Sequence, residues 1–260
     1  PRVGLRYQDR GGLIPQGLSA ELIADTWGLT REELDAFGAE SQAKAARARD
    51  EGRFDNEILP VKSIRRDKDS GDITETDDVV RTDEGIRDDT TVEKLATLKP
   101  SFKPDGKITA GTSSQITDGA SAALIMTEEK ANELGLRPRA RFHAFALAGV
   151  DPVMMLTGPI PATRKVLDKA GLTLDDIDLI EINEAFASVV LAWERELKPD
   201  MSKVNVNGGA IALGHPLGAS GTKLLATLLN ELERTNGRWG LLTMCEGGGM
   251  ANATVIERLG

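Results

Sequence analysis

The chain changes texture near residue 108. Before that point hydrophobic positions recur irregularly, with one clear helical signal. Thr30 and Glu33 have the spacing of a capping box ahead of Leu34 and Phe37, and Gly52 is a natural stop for the helix they open. Residues 66–94 have little periodicity and read as a solvated loop region. From residue 108 a Gly/Thr/Ser-rich stretch leads into a small-residue run, 119–126, and a short helix ending at Gly135. Strands and helices then alternate. The pattern predicts a strand over 139–146, a helix over 161–170 stopped by Gly171, and a buried strand over 178–182 followed by a helix over about 184–197. It continues with a strand over 201–206, a glycine-rich turn and a helix over about 218–234. Two final strands, 238–245 and 251–258, are joined by Gly247, Gly248 and Gly249. The order β-α-β-α-β-α-β-β predicts an α/β fold, a mixed β-sheet covered by helices, and no second copy of the unit occurs.

Composition narrows the function. With 260 residues there is material for one large domain or two modest ones. The formal charge of −9 excludes generic nucleic-acid binding, which needs a basic face. Residues 66–94 alone hold 11 acidic against 5 basic side chains, so an anionic ligand must find a local basic patch. No apolar run approaches the roughly 20 residues of a membrane span. One cysteine, Cys245, and two histidines, His143 and His215, exclude a disulfide framework and a Cys-rich zinc site within the chain. The expectation is a reducing, cytoplasmic setting with no metal. Residue 1 is proline and no leader pattern precedes the fold, so the chain is expected to be a piece of something longer.

Three loops carry candidate chemistry, each after a strand where ligands of open α/β sheets sit. In Asn183-Glu184-Ala185-Phe186 a buried strand turns into a helix, so an amide side chain can project over the sheet edge; the same asparagine could instead cap the helix. The stretch from Asn205 to Gly221 places five glycines around His215, which is held between Gly214 and Pro216. No Gly-Lys-Ser/Thr or Gly-x-Gly-x-x-Gly spacing closes it, so a phosphate or dinucleotide loop is excluded and the histidine is the feature to explain. A histidine so fixed can act as general base or hydrogen-bond donor near neutral pH. Third, Met244-Cys245-Glu246-Gly247-Gly248-Gly249-Met250 ends a buried strand in a thiol followed by glycine amides, which suit a developing oxyanion. A cysteine there is otherwise inert packing, and Met154, Met155 and His143 read first as structural.

Together the motifs Asn-Glu-Ala-Phe, Asn-Gly-Gly-Ala-Ile-Ala-Leu-Gly-His-Pro and Cys-x-Gly-Gly-Gly, with Thr157-Gly158-Pro159-Ile160-Pro161-Ala162 upstream, resemble the thiolase family. These are the coenzyme A-dependent enzymes that make or cleave the C–C bond of 3-ketoacyl-CoA. The resemblance implies two similar halves with a loop domain inserted late in the first. Residues 1–107 would be an irregular, α-rich loop domain, 108–137 the closing strand and helix of the N-terminal half, and 138–260 the C-terminal half. It implies ping-pong acyl transfer with CoA as substrate or product and no permanently bound cofactor. His215 would activate the nucleophile and donate to the substrate thioester oxygen, Asn183 would hold a water in the same oxyanion hole, and Cys245 would be the acid/base. Gly247 would supply an N–H to the second oxyanion hole, Ser114 would meet the pantetheine arm, and Met155 and Phe186 would line the pocket. Glu246 receives no role.

The family's nucleophilic cysteine is absent, because Cys245 is the chain's single cysteine and fills the second position. The expected partners are therefore acyl-CoA substrates, an N-terminal half carrying that nucleophile, and further copies in a homodimer or tetramer. A non-catalytic acyl-CoA or lipid binder that keeps the fold is the alternative. Keeping His215, Cys245 and Asn183 together argues against it. Candidate cations for the CoA phosphates are Arg65, Arg66, Arg81 and Arg87. Acyl chain length and reaction direction are unreadable from these residues.

Overall fold

The structure, a computed structural model, describes Tyr7 and residues 12–260. The other residues of the expected 1–107 unit lie outside the described ones. The chain opens with two helices, α1 (Gln16–Thr26) and α2 (Arg31–Asp50). The predicted capping box closes α2: Thr30 Oγ1 accepts from the Glu33 N–H, and the Glu33 carboxylate accepts from the Thr30 N–H. Gly52 follows the helix end in a left-handed conformation, φ +68°. α1 was not anticipated, because its buried face is built from Gly17, Ser19, Ala20, Ile23 and Ala24, which present little apolar contrast.

Residues 66–94 correct the expectation of a loop region. Val61–Arg66 (β1) and Ile73–Val80 (β2) form an antiparallel hairpin that stands exposed on both faces. With no core beneath it, the hairpin has no reason to alternate apolar and polar residues, which is why no strand pattern was visible. A short helix, α3 (Val92–Ala96), ends the segment, and the Arg31 guanidinium fixes the turn after it by donating to the Leu95 and Leu98 carbonyls.

Within 108–137 the expected closing strand is absent. The only regular elements there are a 3-10 turn, Ala110–Thr112, and the helix α4 (Glu128–Glu133), ended by Gly135 at φ +65°. The run from 119 to 126 is without regular structure and exposed. A strand needs a neighbour to take its backbone groups, and among the described residues none lies beside it.

The rest builds one four-stranded sheet in the order β3-β6-β5-β4, with β3 (Ala140–Gly149), β4 (Leu179–Ile182), β5 (Trp239–Glu246) and β6 (Met250–Arg258). β4 runs parallel to β5; the other two pairs are antiparallel. Alternation along the strands feeds a separate core on each face. Ile180, Ile182, Leu241 and Val255 face α5 (Pro159–Ala170) and α6 (Ala187–Leu197), around the fully buried Trp193. Leu179, Leu242 and Ile256 face α8 (Ser220–Thr235) through Leu224, Leu228 and Leu232. By the same parity Glu181 points toward α8, where it is fully buried with Lys223 and Glu231 among the charges that act on it.

Two further expectations are corrected. The strand predicted over 201–206 is a 3-10 turn, Met201–Lys203, followed by a single parallel bridge from Val204 to Ile180. Asn205 ends it: at φ +44° it turns the chain, and its side chain takes over the sheet bonding by accepting from the Ile182 N–H and donating to the Ile182 carbonyl. The helix predicted from 184 begins at Ala187, with Phe186 as its N-cap residue, so Asn183 does not cap it.

Candidate active site

The parallel register of β4 on β5 brings their carboxyl ends together. Ile182 pairs with Thr243, and the Asn183 N–H extends the ladder by donating to the Thr243 carbonyl at 3.0 Å. Asn183 and Cys245 therefore leave the same edge of the sheet. Asn183 is buried, and its side-chain Nδ2 has no hydrogen-bond partner among the described residues. Glu184 plays a different part. Its buried carboxylate accepts from Ser41 Oγ at 2.6 Å, Asn205 Nδ2 at 3.0 Å and the Ile211 N–H at 3.2 Å, tying α2 and both flanking loops to one point. Burial pushes its pKa up, against these bonds.

The glycine-rich loop holds the short helix α7 (Ala210–Leu213) and then turns sharply at Gly214, φ +85°, into His215. A Cβ at Gly214 would fall 2.4 Å from the Thr117 side chain, so close approach as well as φ requires glycine. The His215 N–H donates to the Gln115 carbonyl at 2.9 Å. The ring's Nδ1 lies 2.6 Å from Ser220 Oγ, and half-burial lowers the ring's pKa below the ordinary 6.5.

Residues 113–115 stitch these loops together. Ser113 bridges Phe186, the Ser114 N–H donates to the Ala185 carbonyl at 3.0 Å, and the Gln115 N–H donates to the Ala210 carbonyl at 3.2 Å. The Gln115 side-chain amide donates to the carbonyls of Gly85, Ile211 and Ala212. Sequence reasoning missed Gln115, and no signal in the chain singles out one glutamine as a clamp. Beside this clamp a cavity of about 460 Å³ opens, walled by Ser113, Ser114, Gly111, Leu95, Leu98 and Ile211. Arg87 and Lys94 supply its cations. Arg87 donates to the Gly85 carbonyl and Gln115 Oε1, while Lys94 is paired with Asp89. Arg65 and Arg66 lie on the exposed hairpin, and Arg81 lines a separate small cleft, so of the four candidate arginines Arg87 alone borders this cavity.

Cys245 is buried in the apolar cluster that also holds Met155, Phe186 and Ile211. Burial pushes its thiol up to about 12, with the neighbouring Glu246 charge adding to the shift. Met155 adopts φ +49°, and Phe186 meets Phe102 edge to face at 5.8 Å. Glu246 accepts from Asn252 Nδ2 across the β5–β6 hairpin, a structural bond. Gly247 follows at the hairpin tip, near Gln16 at the start of α1, and Gly248 and Gly249 both turn at positive φ. His143 is structural: its Nε2 lies 3.1 Å from the Ala170 carbonyl and its ring packs on Trp239. Among the described residues no group of three or more His, Cys, Asp or Glu is placed to hold a metal. No described helix is long and apolar enough to cross a membrane.

The sheet and loop geometry find their match in one family. The models for the thiolase N-terminal and C-terminal domains match residues 8–129 and 136–258, and the chain belongs to the thiolase family. It is 53% identical over 254 residues to a steroid 3-ketoacyl-CoA thiolase of Mycobacterium tuberculosis, covering 98% of this chain and 58% of that protein. It is 52% identical over 245 residues to an acetyl-CoA acetyltransferase of Syntrophomonas wolfei, covering 94% and 60%. Among solved structures, the Bacillus anthracis acetyl-CoA acetyltransferase superposes with a TM-score of 0.88 at 43% identity, over 95% of this chain and 61% of that one. Human mitochondrial 3-ketoacyl-CoA thiolase in complex with CoA superposes with a TM-score of 0.85 at 40% identity, over 95% and 59%. The chain thus spans about three fifths of the length of these relatives.

Proposed function

We propose that the chain is the acid/base and CoA-facing part of a thiolase-type acyltransferase, which makes or cleaves 3-ketoacyl-CoA by ping-pong acyl transfer. The observation that carries this reading is the stitching of the Asn183–Phe186 loop, the His215 loop and the Ser114 wall into one unit at the carboxyl ends of β4 and β5. The relatives named as acetyltransferases and 3-ketoacyl-CoA thiolases support it.

The division of labour follows from protonation states. With its pKa below 6.5, His215 is neutral at pH 7 and able to take a proton from a nucleophilic thiol. Cys245 rests as a thiol because burial disfavours its anion, so it serves as the acid that protonates the carbanion released on C–C cleavage. The thiolate left behind then takes the proton of the incoming CoA thiol, which restores Cys245. Asn183 offers its unpartnered Nδ2 to a water or the thioester oxygen, and Gly247 offers its N–H to the acyl intermediate. Ser114 faces the pantetheine arm, Met155 and Phe186 line the pocket beside Cys245, and Arg87 and Lys94 receive the phosphates. A buried thiol held at about 12 is unsuited to be the acylated nucleophile, so that cysteine lies outside these 260 residues, on the N-terminal thiolase half, within a dimeric or tetrameric assembly. The setting is proposed to be the cytoplasm.

The test is CoA-dependent cleavage of acetoacetyl-CoA by the assembly containing that second cysteine. Cys245→Ala and His215→Ala are each expected to lower kcat by about 10²- to 10⁴-fold while CoA affinity is retained. CoA binding without any cleavage in the unaltered assembly would favour the non-catalytic acyl-CoA binder instead.

A further inference from the structure

An imidazole is a base at only one nitrogen at a time, so the use of His215 depends on which nitrogen carries the proton. Ser220 begins α8 and is buried, five residues beyond the histidine. Its Oγ lies 2.6 Å from His215 Nδ1 and 3.0 Å from the Pro216 carbonyl. A serine hydroxyl has one proton and two lone pairs. The Pro216 carbonyl, which also takes the Ala219 and Ser220 N–H groups, can only accept, so with both hydroxyl contacts made together the proton goes to Pro216 and a lone pair faces Nδ1. The ring must then present an N–H at Nδ1, and Nε2 is left bare.

We infer that Ser220 is a positioning residue that fixes the Nδ1–H tautomer of His215, so that Nε2 is the nitrogen available for proton transfer. This rests on the acyltransferase reading for its use, though not for its geometry. The consequence is economical: Nε2 takes the proton of the attacking thiol, and the resulting imidazolium donates from the same Nε2–H to the thioester oxygen. One proton moves from sulfur to nitrogen, and the donor so formed joins Asn183 at the thioester oxygen. The opposite tautomer would supply the donor but not the base. Ser220 is also anchored by its own N–H, which donates to the Pro216 carbonyl at 2.9 Å, so the hydroxyl is held against the loop that carries the ring.

The test needs no turnover. The chain has two histidines, so ¹⁵N-histidine labelling of the full chain gives two ring spin systems, and His143→Gln assigns them. For neutral His215 the expected spectrum has a pyrrole-type Nδ1 and a pyridine-type Nε2. Ser220→Ala should shift it toward the tautomer mixture of a free imidazole, and Ser220→Thr should restore it. A pyridine-type Nδ1 in the unaltered chain, or a spectrum unmoved in Ser220→Ala, overturns the inference. In the complete assembly Ser220→Ala is further expected to lower kcat/KM by about 10- to 100-fold, part of what a positioned base contributes. If the tautomer is as described and the assembly never cleaves substrate, the acyltransferase reading fails while the assignment of Ser220 stands.

Discussion

At the scale of single residues, the roles that chemistry assigns and the roles that packing assigns are separated by their partners. Glu184 is spent on three groups of the scaffold, whereas Asn183, one position earlier, keeps a buried amide nitrogen unpaired among the described residues. His215 and Cys245 were legible because glycines crowd their loops, and Asn183 because a buried strand ends there. Ser220 and Gln115 were not, because a serine in a helical first turn and a glutamine in a loop are common anywhere, and only contact distances distinguish them. Glu181 is a further case. It faces α8 with Oε2 unpaired among the described residues; burial, opposed by the Lys223 charge and aided by those of Glu184, Glu57 and Glu231, pushes its pKa from 4.5 to about 8. Between those values the unfolded chain is ionised while the folded one holds a proton, so this residue makes stability fall as pH rises from about 4.5 to 8, and the loss is complete above 8. Glu181→Gln removes that slope. Thermal melting across pH should show the variant level with the parent near pH 4 and ahead by about 2–4 kcal/mol at pH 9. Parallel curves would contradict it.

At the scale of elements, the sheet was legible wherever burial imposes a pattern. The four strands of the main sheet and helices α5, α6 and α8 came from alternation and from stops such as Gly171, which is left-handed at φ +68°. The 201–206 segment misled because Val204 and Val206 have the alternate spacing of a strand. What replaces the strand is Asn205, whose side chain does the hydrogen bonding of a backbone. The exposed hairpin misled for the opposite reason, since nothing buried shapes its sequence. The His215 loop depends on its turn: at Gly214 an added methyl would meet both a left-handed backbone and the Thr117 side chain. Gly214→Ala should cost about 1–3 kcal/mol of stability and reduce activity further than that loss of folded protein explains. Hydrogen exchange should localise the damage to the loop and to its bond with Gln115. Unchanged turnover would show that the ring does not need this turn.

At the scale of the whole molecule, apolar surface is distributed unevenly. Ile116, Leu124, Ile125 and Leu217 are exposed in two segments held together where Gly119 meets Pro216 and Ser121 Oγ donates to the Ala219 carbonyl. Exposed apolar side chains gathered in this way drive association in water. Sedimentation velocity over a wide concentration range should therefore show the 27.9 kDa chain self-associating, and an ideal monomer throughout would contradict this. Under the proposed acyl transfer, the acylated sulfur lies outside these 260 residues, whose single cysteine is Cys245. The most direct measurement is peptide-level mass spectrometry of the complete assembly quenched during turnover with acetoacetyl-CoA, which locates the acetyl group. The expected result is an acetyl thioester on a cysteine outside these 260 residues and an unmodified Cys245. An acetyl group on Cys245 would contradict it.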